Sequence, residues 1–484
     1  MRCANSRAPL RSIVVVGGGP VALVAALAFA RAAHVQVTLV ATPDDPAALA
    51  DRLPVAPPST LAFLATLGLG EAALIDGGAT HRTGERYEWG QAAFVIGEGG
   101  GVQTVAGAAL HQLWLARGAK GRFDALVPAA AMAMADRFGR PEGEAGSLLS
   151  CVDHALRLDP AGCRQVFAQR SRASGVVFRS TAALAVEREG EMVATVTLTD
   201  GTRLQADLFV DASGPAALLG GPGGERIDWS SALPVDRLLM AHSPGRGALI
   251  DRYEATAIGW SATIPLRDRT IKLAGYAGSA TADGRAMRQF GQSAERIVLR
   301  PGRRVRPLAG NVLALGDAAA VAGPLGLPAF ALACSHLALA LDLLPARVPE
   351  PLLTAEYNRR ATLRADEVRD HAAAFYAVTS PRGGEFWHPL RQRPAPEPLA
   401  ALLVQFRQRG TLPPLTEEAV ARSTWIQTLI GLGIRPVRTD PIALSVPAAT
   451  ADAAIERLRG AVAALPATLP RYADCLATLT KGLR

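Results

Sequence analysis

The chain has 484 residues, of which 49% are hydrophobic and 19% are charged. These values exclude an intrinsically disordered chain and predict a folded protein with two or three domains. The formal net charge is +8, but the 51 basic residues include only three lysines, and the arginines are scattered along the chain. Because no basic stripe with interleaved aromatic residues is present, we expect no nucleic-acid partner.

The first predicted elements are a strand, a turn and a helix. The uncharged stretch 13–30 has the length of a signal peptide or a marginal membrane span. Residues 17–20, with the sequence GGGP, interrupt it where a βα turn would lie, so we expect no membrane partner. The five cysteines lie far apart without a CxxC pair, which is typical of a reduced, cytoplasmic protein.

Later elements follow from the periodicity of apolar residues. In chain order, we predict strands at 12–16 and 35–40 around a helix at 20–33, a helix at 59–69, no assignable element at 79–134, a helix from Asp159-Pro160 to 173, strands at 175–179, 182–188, 192–198 and 208–214, a β region at 237–276 and a strand at 311–315. Nearly everything beyond 325 is predicted to be helical: 329–344, 353–376, 396–409, 416–432, 449–464 and 469–481.

The first turn has a dinucleotide fingerprint, Gly17-x-Gly19-x-x-Ala22. Gly17 permits the turn, Gly19 allows the backbone to approach a pyrophosphate, and the small Ala22 allows close packing of the helix on the strand. Pro20 begins the helix whose N-terminus would face the phosphate. The alternative is a tight βα turn without a ligand.

A second glycine motif strengthens the prediction of a flavin site. Gly316 and Asp317 follow the strand at 311–315, and Pro324, Leu325 and Gly326 precede a long helix. This arrangement resembles flavin hydroxylases, in which the acid lies near the ribityl chain of the cofactor. Together with Asp211 in the intervening segment 211–214, it favours FAD over NAD. An acid that would bind the adenosine ribose is missing, because the second strand ends in Ala41.

Several segments in order resemble the flavin-dependent tryptophan halogenase family, namely 207–214, 228–237, 259–266, 386–387, 406–410 and 433–436. The resemblance implies an α/β fold, with a Rossmann-like FAD-binding module of the flavin hydroxylase and halogenase type and an interleaved mixed β-sheet substrate region at 1–345. A helical C-terminal region at 346–484 would cap the substrate. It also implies a small aromatic or indole-like substrate and a partner flavin reductase, and it leaves the oligomeric state open, a homodimer included.

In that family, reduced FAD and oxygen convert a halide into hypohalous acid, which reaches a lysine beside the substrate. The segment that resembles the lysine motif carries Arg82 instead. A glutamate and two hydroxyl residues of the family are absent from the segment 323–328, which keeps only Pro324 and Leu325. Trp260 of the double-tryptophan motif is retained, but the second position is Ala262, which we expect to open space near the flavin.

Three functions therefore remain open. The chain could be an oxygenase of an aromatic or indole-like substrate, a flavin-binding or flavin-free protein without turnover, or a halogenase with altered residues. Our candidate catalytic residues are Arg82, Trp260 and Pro265. No metal is predicted, because the histidines at 111, 154 and 336 lack metal-ligand spacing. The candidate cofactor-binding residues are Gly17, Gly19, Pro20, Ala22, Asp211, Gly316, Asp317, Pro324, Leu325 and Gly326.

Overall fold

The computed structural model forms two compact units, each assembled from three separate stretches of chain. The first unit comprises Met1–Ala79, Leu158–Ser230 and Val298–Val368, and the second comprises Thr80–Arg157, Ser231–Ile297 and Arg369–Arg484. The structure describes residues 8–32, 35–89, 92–99, 104–105, 107–141, 147–220, 225–291, 293–326, 328–348, 350–378, 384–415 and 417–481.

This division differs from a single boundary at residue 345. Strands Gly84–Glu88 and Phe94–Gly97 share one sheet with the strands of 231–297, and the C-terminal helix Arg422–Gly431 packs on strand Phe94–Gly97. The side chain of Gln427 accepts a hydrogen bond from the Gly97 N–H at 2.8 Å. The C-terminal helices therefore belong to the second unit together with its sheet.

The first unit is built on a six-stranded sheet with Ser12–Val16 near its middle. Five of its strands are parallel, and the register places Val16 beside both Val40 and Asp211. Their valine-rich sequences suit strands that are covered on both faces. Across the sheet, the strand order is Val177–Ser180, Gln36–Ala41, Ser12–Val16, Leu208–Asp211, Val312–Ala314 and the antiparallel Leu308–Ala309.

Helices and smaller sheets complete the first unit. The α-helices are Pro20–Ala32, Leu49–Arg52, Pro58–Thr66, Glu71–Asp76, Pro160–Ala173 and Ala329–Asp342, and 3₁₀ turns lie at Gly214–Ala216 and Gly316–Ala318. Helix Pro351–Ala377 contains the division between the units at residue 368. The remaining strands are Val55–Ala56, Leu184–Glu189, Met192–Leu198, Arg203–Leu204, Arg226–Asp228, Gly302–Arg304 and Ala320–Val321.

The second unit is built on a seven-stranded sheet. Strand Ile250–Thr256 pairs in parallel with Gly84–Glu88 and antiparallel with Gly259–Pro265. Across the sheet, the order is Glu295–Val298, Arg237–Pro244, Arg269–Tyr276, Gly259–Pro265, Ile250–Thr256, Gly84–Glu88 and Phe94–Gly97. Two short antiparallel pairs join Thr80–Arg82 to Ala155–Arg157 and Thr104–Val105 to Ala108–Ala109.

The helices of the second unit are mostly C-terminal. The α-helices are Leu110–Ala116, Pro128–Ala135, Asp283–Phe290, Trp387–Leu390, Glu397–Arg409, Arg422–Gly431, Pro441–Ser445, Ala448–Ala464 and Tyr472–Lys481. Short 3₁₀ helices lie at Phe123–Leu126, Leu148–Cys151 and Leu465–Thr468.

Most of the strongly patterned elements agree with the predictions. The stretch 13–30 is divided between strand Ser12–Val16 and helix Pro20–Ala32, as its glycines indicate. Among the described residues, no helix combines the length and apolarity needed to cross a membrane. In the segment 79–134, for which the sequence predicts no element, the described residues form five short strands, two α-helices and a 3₁₀ helix.

Candidate functional site

The turn Gly17–Ala22, here called the fingerprint turn, requires glycine at its first position. Gly17 has a φ of 144°, and its N–H donates to the Val40 carbonyl at 3.0 Å. A Cβ atom at this position would lie 2.2 Å from the carbonyl oxygen of Ala212. An L side chain is therefore excluded both by the backbone conformation and by the contact.

The helix Pro20–Ala32, here called the fingerprint helix, follows this turn. Every residue from Pro20 to Phe29 is buried, and its first turn contains no acidic residue. A Cβ on Gly17 would also approach the Ala22 side chain to 3.0 Å. The small residue at position 22 thus permits the close packing that the fingerprint requires.

Asp51 lies where the fingerprint turn would approach a phosphate. A Cβ on Gly19 would be 2.1 Å from the Asp51 Cγ atom. Oδ1 of Asp51 accepts a hydrogen bond from the Val21 N–H at 2.8 Å. Burial raises the pKa of Asp51 to about 7. Asp51 is absent from the predicted site residues, because no local motif in the sequence marks it.

The Asp211 carboxylate accepts hydrogen bonds from the turn that follows its strand. Its two carboxylate oxygens accept hydrogen bonds from the Ser213 hydroxyl at 2.6 Å and from the Leu219 and Gly220 N–H groups at 2.8 and 3.1 Å. The carboxylate is fully buried, and burial raises its pKa. These bonds hold the turn after strand Leu208–Asp211, so a role in cofactor binding through this carboxylate stays a prediction.

Asp317 lies in the 3₁₀ turn that follows strand Val312–Ala314. Its Oδ2 atom accepts a hydrogen bond from the Ala50 N–H at 2.7 Å. Burial raises the pKa of Asp317 to about 8, and the nearby Asp51 contributes in the same direction. Gly316, directly before it, has a φ of 61°, a left-handed conformation that favours glycine. The second motif is thus joined to helix Leu49–Arg52, which carries Asp51.

The loop at Pro324, Leu325 and Gly326 offers no polar side chain. Leu325 is buried and Pro324 is half-buried. Gly326 has a φ of 89°, so a glutamate at this position, as in the family motif, would be strained. The neighbouring Leu327 lies outside the described residues.

In the second unit, Arg82 is enclosed by carboxylates. It is only 4% exposed, and its Nη1 atom donates to Glu85 at 2.5 Å and to Asp251 at 3.3 Å. Its Nε atom donates to Glu98 at 2.8 Å, and Nη2 donates to the same carboxylate. Burial alone would lower the pKa of Arg82, but the three carboxylates outweigh that effect and raise it.

Arg157 completes this group of ions. Its Nε atom donates to the second carboxylate oxygen of Asp251 at 2.7 Å, and both side chains are 1% exposed. We call Arg82, Arg157, Glu85, Glu98 and Asp251 the Arg82 cluster. It contains three carboxyl groups and two guanidinium groups, so full ionisation would leave one net negative charge. Burial raises the pKa of Glu85 to about 7, which is consistent with one of the carboxyl groups holding a proton near neutral pH.

Trp260 is buried on strand Gly259–Pro265. Its Nε1 atom donates to the Tyr376 hydroxyl at 2.9 Å. The neighbouring strand makes room for the indole with Gly275, where a Cβ would lie 2.5 Å from the ring. Ala262 is 3% exposed and lies in register beside Tyr253. The space expected from the missing second tryptophan stays a prediction.

Strand Gly259–Pro265 keeps Trp260 apart from the other two catalytic candidates, Arg82 and Pro265. Trp260 lies opposite Ala255, whereas Arg252, next to the Asp251 of the Arg82 cluster, lies opposite Thr263. Pro265 is five residues from Trp260 along the strand, or roughly 17 Å. The Arg82 cluster thus lies towards the Pro265 end of the strand, and the sheet does not bring Trp260 into contact with it.

Sequence reasoning identified Arg82 but missed its acidic partners. Glu85 could have been found, because a buried arginine on a strand requires a carboxylate and Glu85 follows it by three residues. Glu98 and Asp251 have no comparable local signal.

Among the lysines that could replace the family lysine, Lys120 and Lys272 are exposed.

A dinucleotide fits the backbone of the first unit. The glycine turn, the buried helix behind it and the buried Asp317 form the frame that such a cofactor requires. Asp51 does not fit, because its carboxylate accepts the Val21 N–H, which would face a phosphate.

Comparisons with known proteins agree with this frame. A family model described as tryptophan halogenase matches residues 12–448. The flavin-dependent halogenase BrvH of Brevundimonas sp. BAL3 superposes with a TM-score of 0.89 at 27% identity, covering 97% of this chain and 99% of that one. A flavin-dependent halogenase of Xanthomonas campestris gives a TM-score of 0.88 at 26% identity, covering 97% and 98%.

Among curated proteins, tryptophan 7-halogenase KtzQ of Kutzneria sp. (strain 744) is 25% identical over 332 residues, which is 61% of this chain. The match spans 62% of that halogenase, less than two thirds of its length. The family model covers most of the chain, and the fold agrees with that of the solved halogenases over nearly its full length. The chain therefore belongs to the tryptophan halogenase family.

Proposed function

We propose that this protein is an FAD-dependent oxidoreductase that oxygenates an aromatic or indole-like substrate and is not an efficient halogenase. The observation that carries the proposal is the environment of Arg82. Arg82 stands in the sequence segment that resembles the family's lysine motif, and each of its three guanidinium nitrogens donates to a carboxylate.

An arginine in this environment is unsuited to the role of the lysine. A lysine can lose its proton and react as an amine, whereas a guanidinium stays protonated and is a poor nucleophile. The surrounding carboxylates raise the pKa of Arg82 further. Its hydrogen atoms point at Glu85, Glu98 and Asp251, so they are engaged in ion pairs.

A second family group is also absent. The glutamate position is occupied by Gly326, whose positive φ suits glycine. Among the described residues of this loop, Pro324, Leu325 and Pro328 offer neither a carboxylate nor a hydroxyl group. Since both acid–base groups are replaced, halogen transfer would lack the proton donors and acceptors that it uses in the family.

The residues of a flavin site are retained in the same chain. The fingerprint turn and the N-terminus of the fingerprint helix would hold the pyrophosphate of FAD, and Asp317 would lie towards its sugar chain. When bound and reduced, FAD supplies the electrons that activate oxygen. With no second nucleotide motif evident in the sequence, a partner flavin reductase supplies the reduced cofactor.

The second unit contains aromatic side chains suited to an apolar substrate region. Tyr87 stacks on Tyr253 with ring centroids 4.9 Å apart, and Trp89 packs edge-on against Trp387 at 5.5 Å. Trp260 is buried as well, and we infer that these rings would face an apolar substrate and exclude water from it. Such walls suit an indole-like ring better than a charged substrate.

The test supplies the protein with FAD, NADH, a flavin reductase and a panel of indoles and other aromatic compounds, in the presence of chloride or bromide. We expect substrate-dependent oxygen uptake and products that gain oxygen without halogen, measured by mass spectrometry. The Gly17→Ala variant, whose new Cβ would meet the Ala212 carbonyl at 2.2 Å, provides the control without a flavin site.

The Arg82→Lys variant, with Arg86→Lys as its matched control on the next strand, asks whether the lysine alone restores halogenation; we expect no gain in either. Halogenated products from the unmodified protein, in amounts comparable to oxygenated ones, would overturn the proposal.

A second candidate is a halogenase-like protein without turnover, which the position of Asp51 favours. It predicts oxygen uptake equal to that of the reductase alone with every compound of the panel.

A further inference from the structure

The fingerprint helix is capped from outside its own sequence. Its first turn has no acidic residue, and Asp51 of helix Leu49–Arg52 supplies the missing carboxylate to the Val21 N–H. An anion at this end stabilises the helix through its unpaired N–H groups and its dipole. Asp51 thus acts as a tertiary cap of the fingerprint helix.

The Val21 N–H belongs to the helix N-terminus that binds phosphate in a dinucleotide site. A Cβ placed on Gly19 would lie between 2.1 and 2.4 Å from the three outer atoms of the Asp51 carboxyl group. Glycine at this position lets the backbone come close to a pyrophosphate. Asp51 and a bound pyrophosphate would therefore compete for one position.

The charges around this position increase the conflict. Asp317 is buried, and its pKa is raised in part by Asp51, since each of two neighbouring carboxyl groups disfavours ionisation of the other. Asp44 raises the pKa of Asp51 in the same way, and Arg164 opposes it. Asp45 also raises the pKa of Asp317. A cofactor diphosphate would add two negative charges to a region that already contains buried acids.

We propose that Asp51 is an acidic gate of the FAD site, an inference that rests on the proposed function. Its carboxylate occupies the phosphate position on the fingerprint helix and must leave before the cofactor binds. The gate sets the affinity for any ligand that carries a dinucleotide-type diphosphate. It also links cofactor binding to pH, because a protonated Asp51 repels the diphosphate less than an ionised one.

The pH dependence has a defined sign. Burial holds the pKa of Asp51 at about 7, so the ionised fraction grows as the pH rises through this value. FAD affinity is therefore expected to fall from pH 6 to pH 8. The other groups that face the pair are Asp44, Asp45, Cys163, Arg164 and Arg226. Helix Ala329–Asp342, which packs on helix Leu49–Arg52, carries the ionisable residues Cys334, His336 and Asp342.

The test measures dissociation constants of FAD, ADP and FMN by flavin fluorescence quenching and by calorimetry. The Asp51→Asn variant removes the charge and keeps the shape, and Asp51→Ala removes the cap entirely. Asp44→Asn removes one charge from an exposed neighbour and is the matched control. Circular dichroism melts verify that each variant is folded.

We expect Asp51→Asn to tighten FAD and ADP at least tenfold, to change FMN and the control variant less than threefold, and to flatten the fall in affinity between pH 6 and pH 8. Equal FAD affinity for the original protein and both Asp51 variants would overturn the gate and leave the proposed function standing. Weaker binding by both variants would overturn it as well, since Asp51 would then help to hold the cofactor. Absence of FAD binding in every protein would overturn the proposed function and the gate together.

Discussion

Replacing Arg82 by leucine tests the electrostatics of the Arg82 cluster. The change leaves the carboxyl groups of Glu85, Glu98 and Asp251 with Arg157 as the remaining guanidinium. Removing one partner of a buried ion pair costs about 3–5 kcal/mol. We therefore expect the Arg82→Leu variant to lose ~4 kcal/mol of unfolding free energy near neutral pH.

The loss should depend on pH with a definite sign. Without Arg82, the folded variant must take up about one more proton than the original protein, because the lost positive charge has to be replaced. A carboxyl group whose pKa is raised in the folded state favours folding when it is protonated. Its contribution to the unfolding free energy is therefore present at low pH and lost as the pH rises. Each pH unit changes the free energy by about 1.36 kcal/mol per proton, so lowering the pH from about 7.5 to about 5 should recover ~3 kcal/mol.

Urea unfolding monitored by tryptophan fluorescence is a suitable assay, because five of the six tryptophans lie in the second unit: Trp89, Trp114, Trp260, Trp387 and Trp425. The Arg86→Leu variant is the control. Its guanidinium is 27% exposed and pairs with the more exposed Glu88, so its loss should be below about 1 kcal/mol. A loss below about 1 kcal/mol for Arg82→Leu, or a loss that stays constant between the two pH values, would refute the reasoning.

Three further changes probe other positions. Glu85→Gln removes a carboxyl group with a pKa of about 7, so the melting temperature of the variant should fall less than that of the original protein as the pH rises through 7. An equal fall in melting temperature for both proteins would argue against a shared proton. Gly275→Ala places a Cβ 2.5 Å from the Trp260 ring and should cost about 1–3 kcal/mol of unfolding free energy. Adding Trp260→Val should remove this clash, so additive losses in the double variant would contradict the contact. Asp159→Ala removes the hydrogen bonds to Ala161 and Gly162 at the start of helix Pro160–Ala173, with an expected loss of about 1 kcal/mol in denaturant unfolding, whereas unchanged stability would show that the cap is dispensable.

The elements that could be predicted have signals close together in the chain. Asp159 and Pro160 stand next to each other at the helix start, and the observed helix begins at Pro160 and ends at Ala173, as predicted. The fingerprint turn also has a local signal, because its glycines lie within six residues and Gly17 has a φ of 144°. In these cases, local backbone conformation and capping explain why the sequence pattern predicts the element.

The site features that escaped prediction depend on distant partners. Asp251 reaches Arg82 across 169 residues of sequence, and Asp51 reaches Val21 across 30. Of the three acids that converge on Arg82, only Glu85 has a signal nearby in the sequence. The sequence could identify a changed residue at the lysine position, but not that each nitrogen of the guanidinium would donate to a carboxylate.

The backbone at Gly326 bears on how readily the family residues could be restored. Its φ of 89° suits glycine, so a glutamate introduced there would start from a conformation that costs about 1 kcal/mol or more. A lysine introduced at position 82 would face three acids with a single ammonium group. Each family residue is thus penalised by its present surroundings, and restoring the pair would require several coordinated substitutions.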